Sequence, residues 1–187
     1  MLEKEKYYRL NLFKKIFFFL IVFIFLSQKS FSSAKEEVIN NFIKINNISF
    51  EFQQRIDDKI EVGKCYIKYP KLIYCLYDNK NKKEMVSNGK GLVIKNNRYN
   101  KTYIYPLKTT PLEYILDKEF ILRKIKNLEP KINKNTIEFL IATNKKLISI
   151  FFDSNTYDLA GWKTIDIYQK EVIFQINNLK KNIIIDE

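Results

Sequence analysis

The chain has no histidine, and it is short of several other residues: two cysteines, four glycines, four prolines and one tryptophan in 187 residues. Each shortage removes a class of chemistry. Without histidine there is no imidazole base, no nucleophile–histidine pair and no imidazole metal ligand. Cys65 and Cys75 lack the second pair of ligands that a structural zinc site needs. Gly89-Lys90-Gly91 is too short to cradle a phosphate, and no helical pattern follows it. Asp57-Asp58 pairs two carboxylates on paper, but beside Lys59 and ahead of Gly63 it reads as a hairpin turn. The expectation is a protein that is not an enzyme and has no catalytic residue, cofactor or metal.

A membrane-spanning run is also missing. Residues 16–26 are unbroken apolar sequence, well short of the ~20 residues a spanning helix needs. Lys14-Lys15 precede that run and Ser30-Phe31-Ser32-Ser33-Ala34 follow it. A basic start, a short apolar core and a small-residue site make residues 1–34 a secretory signal peptide, with cleavage after Ser32 or Ala34. No cysteine lies nearby for lipid attachment. Residues 35–187 are then expected to form one exported, soluble, monomeric domain.

What the chain does have is aromatic and branched aliphatic side chains, with 15 Phe and 12 Tyr, and positive charge. Residues 35–187 hold 27 basic and 19 acidic residues, a net +8. Basic surfaces attract nucleic acid or anionic membranes. Here the lysines alternate outward along strands while the aromatics alternate inward, so the expectation is a solvated surface with no nucleic-acid role. Weak attraction to anionic lipid is the secondary reading.

Along the chain, Val38, Ile39, Phe42 and Ile43 share one face of a helix over residues 36–44. Ile48, Phe50 and Phe52 alternate as a strand, and Cys65, Ile67 and Tyr69 point inward because Lys64, Tyr66 and Lys68 take the other face. A hairpin centred on Pro70 puts Ile73, Cys75 and Tyr77 on that inner face, with Cys65 opposite Cys75. A disulfide and a pair of small buried thiols fit this parity equally. Asn88-Gly89 signals a tight hairpin, and Asn96-Asn97 a further turn. Thr110, Pro111 and Glu113 read as a capping box opening a short helix with Leu112, Ile115 and Leu116 on its buried stripe. Strands follow around Ile137–Ile141 and Ile148–Phe152, then a loop over 153–161 and a hairpin about Gln169-Lys170. Two helices and about ten antiparallel strands give an α+β domain.

The order of the punctuation carries a resemblance. Phe52-Gln53-Gln54, Gly63, Lys68-Tyr69-Pro70, Val86-Ser87-Asn88-Gly89 and Thr110-Pro111 follow one another over residues 48–116. In this the chain resembles the LolA family of periplasmic outer-membrane lipoprotein carriers, with F-x-Q, G…R-P, V-S-D-G-like and T-P motifs in that order. Trp162 and Asp166 match more loosely the W-x-x-x-D strand of the family's second half.

The resemblance implies a strongly curved antiparallel half-barrel of ten or eleven strands, with short helices as a lid over an apolar cavity. It implies a carrier that shields lipoprotein acyl chains between the inner and outer membranes. Its partners would be acylated lipoproteins, an inner-membrane lipoprotein-releasing ABC transporter and, where one exists, an outer-membrane receptor. On this reading Phe50, Phe52, Ile67, Ile73, Cys75, Ile94, Phe139, Ile150 and Phe152 line the cavity. Val38, Phe42, Leu112, Ile115 and Leu116 form the underside of the lid. Tyr69 stands where the family has an arginine that latches the lid, and is expected to hold it by packing. Cys75 takes an aromatic position, and residues 183–187 lack the family's F-x-F…P finish. The alternative is a periplasmic regulator or adaptor sensing lipid or peptide with the same half-barrel.

Overall fold

In the computed structural model, which describes residues 33–184 except 81, 145 and 167, the chain opens with helix α1 (Ala34–Phe42). The expected signal segment through residue 32 and the last three residues lie outside the described residues. Ser33 caps α1: its hydroxyl accepts from Glu36 N at 3.3 Å, and the Glu36 carboxylate accepts from Ser33 N at 3.1 Å. This capping box satisfies helix-end donors that would otherwise lack partners.

Six strands follow as a meander: β1 (Asn47–Ile56), β2 (Lys59–Lys68), β3 (Leu72–Tyr77), β4 (Lys83–Asn88), β5 (Gly91–Asn96) and β6 (Lys101–Pro106). A 3-10 turn (Leu107–Thr109), helix α2 (Leu112–Ile115) and helix α3 (Lys118–Lys126) come next. A second meander completes the chain: β7 (Lys131–Ile132), β8 (Thr136–Ala142), β9 (Leu147–Asp153), β10 (Leu159–Ile165) and β11 (Glu171–Lys181). The strands make one eleven-stranded sheet in the order β6-β5-β4-β3-β2-β1-β11-β10-β9-β8-β7. All neighbours are antiparallel, and only β1–β11 joins strands distant in sequence. The chain therefore forms the α+β half-barrel that its sequence motifs implied, curved and not closed, with helices on one face.

Alternation decides which face is buried. Cys65, Ile67, Ile73, Cys75 and Tyr77 point into the core, while Lys64 and Lys68 are exposed. The β2–β3 register pairs Cys65 with Cys75 and Ile67 with Ile73, and the two cysteines form a disulfide across a Cα–Cα distance of 4.1 Å. That selects the first of the two readings of this pair. The Tyr69–Pro70 peptide in the turn is cis, and Asp57, at φ 52°, turns β1 into β2 as expected.

Two glycines let the sheet curl. A Cβ at Gly63 would stand 2.1 Å from Leu76 O and 2.9 Å from the Phe52 ring. At Gly161 the backbone has φ +146°, and a Cβ would stand 2.1 Å from Phe174 O. In both places the neighbouring strand's backbone occupies the space a side chain would need, joined at Gly63 by the Phe52 ring.

Several local readings need correction. Thr110 and Glu113 do not form a capping box: the 3-10 turn ahead of α2 draws the Thr110 hydroxyl back onto Leu107 O (2.9 Å), and Lys71 takes the Glu113 carboxylate. Among the described residues there are three α-helices rather than two, since α3 was not anticipated. The expected loop over 153–161 is only 154–158, because β9 runs through Asp153 and β10 starts at Leu159. Asp153 closes that short turn by accepting from Asn155 N and Thr156 N, and the Thr156 hydrogen bond holds its carboxyl below the usual value.

Replacing Gly63 with Ala is expected to destabilise the domain by about 1–3 kcal/mol through overpacking, lowering Tm by roughly 2–12 °C for a domain of this size. Thermal unfolding followed by circular dichroism measures this. An unchanged Tm would show that β2 and β3 are not held as closely as described.

Candidate functional site

The concave face of the sheet carries two aromatic groups. Beneath α1, Phe42 packs edge-on against Tyr69 (5.7 Å) and Phe152 (5.5 Å), and Phe152 against Phe139 (5.9 Å). Across the β1–β11 pairing, Phe174 stacks between Trp162 (4.1 Å) and Phe52 (4.7 Å). The first group is sealed by the lid. The second opens into a cleft.

That cleft has a volume of about 380 Å³ and lies between the concave face and α2. Met85, Leu92, Ile94, Leu112, Ile115 and Phe174 are among its apolar walls. Its size is within the ~300–1,000 Å³ range of small-ligand sites. If a methylene takes about the ~30 Å³ that a water occupies in the liquid, the cleft holds on the order of a dozen methylenes, about one acyl chain.

One end of the cleft is charged. Glu61, only 8% exposed, accepts from Lys83 Nζ at 2.5 Å and Asn79 Nδ2 at 3.1 Å, and pairs with Lys59 at 3.2 Å. Burial pushes the Glu61 carboxyl up, but the hydrogen bonds and charges of Lys83 and Lys59 outweigh it, leaving the carboxyl below its usual value. Burial holds Lys83 below its usual value against the pull of Glu61. Lys83 also lies 3.7 Å from the Tyr77 ring centroid, and the Tyr77 hydroxyl donates to Gln54 Oε1 at 2.9 Å. Because the Glu61 carboxyl is depressed, its contribution is present above the ordinary carboxylate range and is lost as pH falls through its lowered value. Acidification therefore loosens this end of the cleft.

The lid is fastened by lysines. Lys71 N donates to Leu116 O (2.9 Å), and Lys71 Nζ reaches Glu113 (2.7 Å) and Asp117 (3.5 Å), tying the β2–β3 turn to α2. The hydrogen bond to Glu113 raises the Lys71 pKa, so the lysine side of this tie stays charged through neutral pH and is lost as pH rises through that raised value. Lys118 Nζ donates to Ile43 O (3.1 Å) and Ile45 O (2.7 Å), joining the start of α3 to the end of α1, where carbonyls lack helical partners. Asp117 caps α3 by accepting from Phe120 N at 2.9 Å.

Of the residues expected at the cavity, Ile94 is at the cleft wall, while Phe50, Phe52, Ile67, Ile73, Cys75, Phe139, Ile150 and Phe152 are buried in the packed core. Of the lid residues, Leu112 and Ile115 reach the cleft; Val38, Phe42 and Leu116 are fully buried. Tyr69 sits against Phe42, and its hydroxyl is buried with no hydrogen-bond partner among the described residues. Burial pushes that hydroxyl's pKa up. The polar tie missing from sequence reasoning is Lys71, two residues beyond Tyr69. Its signal was two acidic residues four apart, Glu113 in α2 and Asp117 just beyond it.

The family model "Outer membrane lipoprotein carrier protein LolA" matches residues 43–187. The chain belongs to the LolA family. The sequence matches no curated protein. Among solved structures, the LolA family member resembles a LolA superfamily protein of Nitrosomonas europaea at 6% identity, over 81% of this chain and 93% of that one, with a TM-score of 0.39. It resembles a putative outer membrane lipoprotein-sorting protein domain of Vibrio parahaemolyticus at 7% identity, over 83% and 96%, with a TM-score of 0.43. It also resembles the lipoprotein LppX of Mycobacterium tuberculosis at 8% identity, over 82% and 97%, with a TM-score of 0.42.

Lys71→Met is expected to speed amide exchange in residues 111–117 by about ten- to thirtyfold, since a hydrogen bond to a charged group is worth ~1.5–3 kcal/mol and partial exposure reduces it. Tyr69→Phe should leave that exchange unchanged or slower, because it removes a buried hydroxyl without a partner. Tyr69→Ala should speed exchange in both 34–42 and 111–117 by opening a cavity. If Tyr69→Phe matched Tyr69→Ala, the hydroxyl would be the latch and the packing account would fail.

Proposed function

We propose that this LolA family protein is a periplasmic carrier that shields the acyl chains of lipoproteins and moves them from the inner to the outer membrane. Its cargo would be delivered by an inner-membrane lipoprotein-releasing ABC transporter. The observation that carries the reading is the apolar cleft between the concave face and α2, in a chain whose family model is that of a lipoprotein carrier. Each methylene withdrawn from water is worth ~0.8 kcal/mol, so a lipoprotein's chains need a shield to cross an aqueous space. The closed cleft has room for about one chain. Further chains enter as the helices lift away from the sheet, exposing the surface now filled by Phe42, Ile115 and Leu116 against Ile67, Ile73 and Phe152. The charged end at Glu61 and Lys83 faces the polar part of the cargo.

Export follows from the same reading. Cleavage after Ser32 leaves Ser33 to cap α1, whereas cleavage after Ala34 removes both the cap and the first helical residue. The disulfide suits an oxidising compartment. N-terminal sequencing of the protein isolated from the periplasm is expected to begin at Ser33. A start at Lys35 would show that the cap is dispensable.

Native mass spectrometry of the periplasmic protein should show co-purifying acylated lipoprotein. Ile94→Glu, which puts a carboxylate on the apolar wall, should weaken binding of a fluorescent fatty acid at least tenfold while Tm changes little. A wild-type protein that takes up neither lipoprotein nor fatty acid would overturn the carrier reading.

A further inference from the structure

The face of the sheet opposite the helices is not uniformly solvated. The register places Tyr66, Tyr74, Val86, Val93 and Ile104 side by side on successive strands β2 to β6, each paired with the next. Tyr74 is 41% exposed and Ile104 73%, and Val86 is also exposed; Tyr66 and Val93 are half-buried. Leu72 and Leu76 widen this band on β3, both exposed. An apolar ribbon thus crosses five strands, with no helix among the described residues over it.

Charge surrounds the ribbon and is concentrated on this half of the molecule. The row on one side runs Lys64, Leu76, Glu84, Lys95, Thr102, and the row on the other starts with Lys68 and Leu72. Residues 59–108 contain twelve basic and three acidic residues, a net +9. The rest of residues 33–187 contains fifteen basic and sixteen acidic residues, a net −1. The whole positive excess of the domain lies in β2–β6 and their turns, unlike the even scatter that its sequence suggested.

We propose that this convex face of β2–β6 is a docking surface for an anionic lipid bilayer. Lysines around an aliphatic and tyrosine band are the composition that binds membrane interfaces: the cations meet lipid phosphates while the apolar groups enter the headgroup–acyl boundary. A second copy of the chain is disfavoured, because it would bring two basic halves, each of net +9 over residues 59–108, against one another. Nucleic acid fits less well, because leucine, isoleucine and valine offer no stacking face to a base. Docking would bring the carrier flat against the membrane with the cleft turned away from it, on the opposite side of the sheet. The proposal goes beyond the carrier reading and does not depend on it, since it concerns the other face.

Co-sedimentation with vesicles tests it. The full mature chain should bind vesicles of phosphatidylglycerol and phosphatidylcholine, not of phosphatidylcholine alone, and binding should weaken as salt is raised. Lys68→Glu/Lys95→Glu should reduce binding tenfold or more. Val86→Thr/Ile104→Thr, which keeps the strands β-branched, should reduce it severalfold. Lys126→Glu/Lys134→Glu, an equal charge change outside β2–β6, should leave it near wild type. None of these variants should alter fatty-acid binding in the cleft, so failure of the cleft reading would appear separately in wild-type protein. The proposal is overturned if anionic vesicles do not bind, or if the control pair loses as much as the Lys68/Lys95 pair. It is also overturned if the ribbon variants instead abolish self-association or capture of an acidic protein.

Discussion

The pairing of β1 with β11 is the interaction on which the rest of the molecule depends. Every other ladder in the sheet joins strands adjacent in sequence and can form as a local hairpin. This one brings Ile48 opposite Lys181 and Ile56 opposite Val172, and makes one surface of two meanders. The Phe52–Phe174–Trp162 stack crosses it, so the aromatic end of the cleft exists only when the seam is closed. Such a contact must offset the entropy of closing a long loop before it contributes stability. Apolar stacking on one face and the ladder itself supply that contribution together.

Around this seam the molecule separates what is packed from what is fastened. The lid's underside is dense, with Phe42, Leu116 and Ile115 buried, while its polar ties, made by Lys71, Lys118, Lys35 and Asn41, are partly exposed. Exposed ion pairs contribute little, so the helices are held chiefly by area rather than by a lock. An apolar guest can replace that area with its own. The depressed Glu61 carboxyl adds a fixed charge at the one end of the cleft where no apolar group is needed.

Much of this was legible in the sequence because alternation has a period of two and lysine avoids burial. Lys64 and Lys68 were enough to orient β2, and proline at 70 carried the same parity into β3, down to the cysteine pair. Other features were misread where one signal has two structural meanings. Thr110 and Glu113 had the spacing of a capping box, but competing partners took both side chains. Helix α3 buries only Ile121, Leu122 and Ile125 among charges, too short a pattern to stand out. The cleft itself was the least legible. An inward-facing side chain reads the same whether it meets another side chain or empty space, so Ile94 and Phe50 could not be told apart.

An open sheet also has two ends, and those ends carry a hazard that a closed barrel escapes. A terminal strand offers unpaired amides and carbonyls to any other chain, inviting stacking of one copy upon another into fibres. Here one terminal strand, β7, is two residues long and follows Pro130, which leaves little to template. The other, β6, begins with Lys101 and ends with Pro106, a charge at one limit and a missing donor at the other. A protein whose sheet stays unclosed must thus be guarded at its margins as well as on its faces. The brevity of β7 and the proline of β6 thus guard the ends of the sheet, away from the cleft.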